Sequence, residues 1–157
     1  MDDESVRSDL VDDLGFDAAI DYREGDVRGQ LRTHAPDGVD VFFDNVGGEI
    51  LEAVLSRLAR GARVVLSGAV SQYNSGKHQG PANYMQLLVQ RASMTGFVVF
   101  DYKDQYASAR AELAEWIASG EIVTREHIVE GGIEVFPEAL LSLFAGENTG
   151  KFVLAVS

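Results

Sequence analysis

Val39-Asp40-Val41-Phe42-Phe43-Asp44-Asn45-Val46-Gly47-Gly48-Glu49 passes from a β-branched and aromatic run into two glycines and an acidic residue. The run reads as a strand ending at Asp44 or Asn45. The glycines allow a sharp turn and a close backbone approach, and the pattern predicts a helix beginning near Glu49. Runs of the same kind recur at residues 62–67 and 94–100, with a shorter one at 18–22 and a last one at 151–156. Near-continuous apolar strands of this type suit a parallel sheet covered by helices.

Between these runs the apolar spacing becomes helical. Ile50, Leu51, Val54, Leu55 and Leu58 share one face, and Gly61 is expected to stop that helix after Ala59. Tyr84, Leu87, Leu88 and Arg91 continue similarly after Pro81, read as a first-turn proline. Tyr106, Leu113, Trp116 and Ile117 belong to a longer helix ending at Gly120, and a further helix is expected over about residues 137–144. Strands alternating with helices give a doubly wound, Rossmann-like α/β fold with helices on both faces. The beginning departs from that pattern. Val6, Leu10, Val11 and Leu14 predict a helix over residues 5–14, with no strand or glycine-rich turn before it. The fold is therefore expected to lack its first βαβ unit, with residues 1–157 forming one truncated domain.

Composition narrows the function. Twenty-five acidic against 13 basic side chains give a formal charge of −12, which repels phosphate backbones and argues against nucleic acid. The chain has no Cys, so a thiolate metal site and a cysteine nucleophile are excluded. Its three His stand far apart, and no metal is expected. No apolar run reaches the 18 residues of a membrane span, and Met1-Asp2-Asp3-Glu4 is acidic where a secretory signal is basic. A soluble cytoplasmic protein without a membrane partner is expected.

Four polar or glycine-bearing stretches fall near the carboxyl ends of strands, or just before the last one, and the strand ends are where open α/β sheets bind ligands. In Asp44-Asn45-Val46-Gly47-Gly48, Asn45 can both donate and accept, which suits a ribose or carboxamide; it could equally cap the following helix. In Ser67-Gly68-Ala69-Val70-Ser71-Gln72-Tyr73-Asn74, small residues let a flat ligand lie against the backbone. Tyr73 there is a candidate proton donor to a carbonyl oxygen, or a packing residue of a surface loop. Gly96-Phe97-Val98-Val99-Phe100 could meet a planar ring or be ordinary core, and Glu147-Asn148-Thr149-Gly150-Lys151 could be a site or a turn. Tyr22 with Arg23 could stack on an adenosine and attract a phosphate, against the neighbouring Asp21 and Glu24. No G-x-G-x-x-G occurs.

Taken in this order and spacing, these four stretches resemble the zinc-independent medium-chain dehydrogenase/reductases, in the alkenal/one double-bond reductase group that includes prostaglandin and curcumin reductases. The resemblance covers about residues 10–157. It implies NADP(H) as cofactor, hydride transfer to an α,β-unsaturated ketone or aldehyde, and a homodimer paired through the strand holding Phe97, Val98 and Val99. It further implies that Asn45, Ser67, Gly68, Ala69, Val70 and Ser71 contact the cofactor, and that Phe97, Val98 and Val99 pack on the nicotinamide. Tyr22 would lie by the adenosine 2′-phosphate, and Asn148 would bind the cofactor. Tyr73 would stand near the nicotinamide ribose and the substrate carbonyl as the catalytic residue. The family's separate catalytic domain has no counterpart here, and the last strand would lead back toward it. The other reading is a non-catalytic module acting in dimerisation or protein interaction through an exposed sheet edge.

Overall fold

The computed structural model describes residues 9–72 and 79–156, which form two compact units, one up to Lys103 and one from Asp104 onward. In the first unit, helix α1 (Val27–His34) precedes strand β1 (Val39–Asp44). Helix α2 (Gly48–Leu55), strand β2 (Leu58–Leu66), a 3₁₀ turn (Val70–Gln72), helix α3 (Gln86–Gln90) and strand β3 (Ser93–Gly96) follow. The strands form one parallel sheet in the order β1-β2-β3, as the α/β reading requires. Phe42 sits opposite Val64 and Val64 opposite Met94; Asp44, Leu66 and Gly96 share the last row. The carboxyl ends of all three strands are thus level.

One face of this sheet makes the core. Leu51, Val54 and Leu55 of α2 pack on Leu58, Ala62 and Val64 of β2, and Leu31, Phe42, Leu87 and Met94 close around them. Leu55 is 0 % exposed. Burying a leucine fully stabilises by about 1.5–3 kcal/mol, so these side chains hold α2 and the turn before it in place. The opposite face keeps Val41 and Phe43 exposed.

Several local expectations are corrected. Residues 18–22 do not form a strand: β1 is an edge of its sheet and the segment has no ladder partner among the described residues. Instead Asp21 turns inward, its carboxylate accepts the Arg23 N–H at 2.8 Å, and Tyr22–Glu24 winds into a 3₁₀ turn. The helix expected to reach Ala59 ends at Leu55, and Leu58 is already strand. Gly61, read as a helix stop, lies within β2 at φ +81°, where the pairing with β1 shifts from Val39–Leu58 to Val41–Arg63. Residues 9–13 of the expected first helix form a π-helical turn, and residues 5–8 lie outside the described residues. Pro81 stands outside a helix that begins only at Gln86. Strand β3 ends at Gly96, because β2 has ended opposite it; Phe97 adds one last bond, its N–H to the Leu66 carbonyl at 2.8 Å.

The second unit contains helix α4 (Tyr106–Ser119), strand β4 (Glu126–Val129), helix α5 (Phe136–Ala145) and strand β5 (Lys151–Leu154). Gly120 closes α4 as expected, and α5 begins one residue before the expected proline. Strand β4 is absent from the sequence-based reading; it pairs in parallel with β5, Glu126 opposite Lys151 and Ile128 opposite Val153. Strand β5 itself is shorter than expected, ending at Leu154. Among the described residues no helix is long and apolar enough to cross a membrane.

Candidate functional site

The site grows from the carboxyl end of β1. Asp44 is 1 % exposed, and its Oδ1 accepts the backbone N–H of Val46 at 2.8 Å and of Gly47 at 2.9 Å. That turn, with one oxygen accepting two N–H groups, needs an acceptor on a short side chain, which Asp supplies. Gly47 completes it at φ +72°, ψ −154°, a conformation open in practice to glycine alone, and it is the N-cap of α2 with no side-chain cap. Asn45 therefore does not cap the helix, contrary to one of the two expectations for it. Its side chain is exposed, and the described residues make no hydrogen bond to its amide.

The segment after β2 is bonded to this turn residue by residue. The Asp44 carbonyl accepts from the N–H groups of Ser67 (2.8 Å) and Gly68 (3.2 Å). The Asn45 carbonyl accepts from Val70 (3.2 Å), and the Val46 carbonyl from Ser71 (3.1 Å). The Ser71 hydroxyl also donates to Val46, so its proton is spent inside the protein while its oxygen remains an acceptor. Hence the first two expected cofactor stretches form one rim across the mouth of the sheet. Gly68 and Ala69 line a cavity of about 240 Å³ with Asp44, Gly47, Leu51 and Leu66.

Phe97 extends the rim to β3. Its ring meets Phe43 edge-on at 6.0 Å and Tyr102 at 5.2 Å, while Val98 and Val99 remain exposed. Tyr22 is 58 % exposed, with the Arg23 guanidinium 5.8 Å from its ring centre. It lines a second cavity of about 420 Å³ with Gly25, Asp26, Arg28, and Glu49 and Ile50 of α2. Asn148 belongs to the second unit, where its Nδ2 donates to the Gly150 carbonyl at 2.9 Å, the turn its sequence suggested. Tyr73, the expected catalytic residue, and Asn74 lie outside the described residues.

Three contributors are missing from the sequence-based reading: Asp44 as the residue that sets the turn, Tyr102 against Phe97, and the side chain of Gln72, which reaches Gln79. The Asp-x-x-Gly spacing carried the signal for the first, since Asp side chains bond backbone N–H groups two and three residues on. The other two are long-range contacts without a local signature.

A family model described as zinc-binding dehydrogenase matches residues 1–118. A Bacillus subtilis protein named as an NADP-dependent oxidoreductase, YfmJ, is 42% identical over 152 residues, covering 94% of this chain and 44% of that protein. A Nicotiana tabacum 2-alkenal reductase (NADP(+)-dependent) is 39% identical over 149 residues, covering 94% of this chain and 43% of the relative. The crystal structure of CurA in complex with NADPH from Vibrio vulnificus superposes with a TM-score of 0.86 at 38% identity, over 98% of this chain and 47% of that one. The chain thus spans less than half the length of these relatives, and they bear out the resemblance read from the four stretches.

Proposed function

Because the chain belongs to the zinc-binding dehydrogenase family, we propose that it is the NADP(H)-binding portion of an oxidoreductase that reduces the C=C bond of α,β-unsaturated ketones and aldehydes. The observation that carries this is the rim joining Asp44-Asn45-Val46 to Ser67-Gly68-Ala69-Val70-Ser71 at the mouth of a parallel sheet. Among the proteins the chain is similar to, one is named for NADP-dependent 2-alkenal reduction and one was solved with NADPH. The proposed activity is that of a whole protein like these relatives, of whose length the chain spans less than half.

Despite the family's description, the described residues do not make a zinc site. The chain has no Cys, and among the described residues no three His, Asp or Glu stand close enough to hold an ion. The dinucleotide fits better: Gly68 and Ala69 bring little side-chain bulk to the rim, and the exposed side chain of Asn45, to which the described residues make no hydrogen bond, offers a donor and an acceptor.

NADPH, when bound, would supply the hydride for the β-carbon of the enone, with solvent supplying the proton for the α-carbon. Around that chemistry, Asn45 orients the nicotinamide ribose or carboxamide, and Ser67, Gly68, Ala69, Val70 and Ser71 carry the cofactor on their backbone. Phe97, Val98 and Val99 give the nicotinamide an apolar wall; the exposure of both valines supports this. Tyr22 and Arg23 take the adenosine and its 2′-phosphate. Tyr73 donates a hydrogen bond or proton to the substrate carbonyl oxygen. The protein works as a cytoplasmic homodimer; β3 is an edge strand of its sheet, and unpaired edges readily pair.

The test is NADPH consumption by the gene product, expressed with its upstream coding sequence, in the presence of a 2-alkenal. Consumption that needs both protein and enal is the expected result, and none above the protein-free rate would refute the proposal.

A further inference from the structure

We infer that Asp21 is a positioning residue for recognition of the cofactor's 2′-phosphate, holding Tyr22 through both of its flanking peptide groups. Asp21 is 8 % exposed, whereas Tyr22 and Arg23 beside it are exposed. The Asp21 Oδ1 accepts the Arg23 N–H at 2.8 Å, which fixes the peptide group after Tyr22. The Asp21 carbonyl accepts from Nε2 of Gln30 at 3.1 Å, which ties the peptide group before Tyr22 to α1. That helix is itself capped, since Oδ1 of Asp26 accepts the Gly29 N–H at 2.9 Å. On the far side of the turn the Gly25 N–H reaches the Tyr22 carbonyl at 3.4 Å, with Gly25 at φ +96°. With the peptides on both sides held, the φ and ψ of Tyr22 are set, and so is the direction in which its side chain leaves the backbone.

Such a turn suits an anionic group. The Arg23 guanidinium lies 5.8 Å from the centre of the Tyr22 ring, so one short segment carries a phenol O–H and a planar set of N–H donors close together. A phosphate monoester takes several charge-assisted hydrogen bonds, and arginine matches its geometry best. A nucleotide with a 2′-hydroxyl in that place offers the guanidinium no charge and gains little from having the pair in position. Holding both residues before the ligand arrives lowers the ordering entropy lost on binding. Asp21 does this although its own charge opposes a nearby anion and its Oδ2 has no partner among the described residues. What the position requires is therefore a short acceptor rather than a negative charge, and asparagine would supply the same acceptor without the charge. This inference rests on the role proposed for Tyr22 and Arg23.

The experiment titrates the gene product, expressed with its upstream coding sequence, with NADPH and separately with NADH, following nicotinamide fluorescence. Parent, Asp21→Ala, Asp21→Asn, Gln30→Ala and Arg23→Ala are compared, with denaturation midpoints alongside. Asp21→Ala is expected to lose about tenfold in preference for NADPH over NADH, the scale of one hydrogen bond to a charged group, with its Kd for NADH within about twofold of the parent. Asp21→Asn should keep the parental preference, and Arg23→Ala should lose at least as much as Asp21→Ala. An Asp21→Ala variant with the parental preference, equal weakening of both nucleotides, or an Asp21→Asn variant that behaves like alanine would overturn the inference while leaving the 2′-phosphate role of the turn standing. An Arg23→Ala variant with the parental preference, or a parent that does not distinguish the two nucleotides, would remove that role and the inference with it. These readouts are binding constants, so they stand apart from the test of C=C reduction. Should Asp21→Ala fail to fold, Gln30→Ala, which releases the other peptide group of Tyr22, carries the same test.

Discussion

The carboxylate of Asp44 accepts the N–H of Gly47 at 2.9 Å, and Gly47 holds φ +72°, ψ −154° to present it. One side chain and one backbone conformation together decide where β1 stops, where α2 starts and which way Asn45 faces. The same turn offers its carbonyls to the segment after β2. Perturbing either partner tests stability and the site at once.

Gly47→Ala should lower stability by about 1–3 kcal/mol, the usual cost of forcing a Cβ into a region reserved for glycine. Space is not the issue, since the added carbon would meet only Ser71 Oγ at 3.5 Å and Ala69 at 3.7 Å. Urea unfolding of the parent and variant measures it. An unchanged midpoint would mean that the turn relaxes freely.

Asp44→Asn should be milder than Asp44→Ala. Asparagine keeps one oxygen for the Val46 and Gly47 amides, whereas alanine leaves both without their acceptor, at about 1–3 kcal/mol for the buried Gly47 amide and less for the part-buried Val46 amide. Asn also removes the buried Oδ2 that has no partner among the described residues, and places an amide nitrogen there. The difference between the two variants in chemical denaturation is expected to be about 2 kcal/mol, and equal destabilisation would show that the turn bonds contribute nothing.

Leu55→Ala should cost about 2–5 kcal/mol, because Leu55 is fully buried between α2 and β2 and its removal leaves a cavity. Leu88, 70 % exposed on α3, is the control; its replacement by Ala should shift stability by about 0.5 kcal/mol or less. Equal losses at the two positions would place the core elsewhere.

Asn45→Ala should weaken NADPH binding about tenfold, the loss of one or two hydrogen bonds to a polar cofactor, with little change in stability because the described residues make no bond to that amide. Tyr73→Phe should behave oppositely, slowing turnover with a 2-alkenal far more than it weakens NADPH binding. Fluorescence titration and steady-state rates separate the two. A Tyr73→Phe variant that loses both equally would make the tyrosine structural.

Much of this was legible locally. The run Val39–Asp44 is β-branched and aromatic enough to be a strand in any context, and Asp44 to Gly48 spells a turn that only backbone geometry can explain. Leu58 misled because it is three residues after Leu55 and buried like it; a helical face and a strand entering the same core look alike at that spacing. Strand β4 escaped because it has only four residues, two of them Glu126 and His127, and its stability comes from partners across the sheet such as Lys151 and Phe152. Residues 18–22 show the reverse error: apolar content without a neighbouring strand makes a turn, here closed by Asp21. The clasp between Gln72 and Gln79 joins two otherwise ordinary glutamines and is visible only in three dimensions.

The most direct measurement is a titration of the isotope-labelled 157-residue chain with NADPH, followed by amide chemical shifts. The expected result is saturable movement centred on Asn45, Gly47, Gly68, Ala69 and Ser71, with Asn45→Ala weakening it. Shifts that stay put at this rim while others move, or no shift at millimolar NADPH, would contradict the assignment of the rim as the cofactor-binding surface.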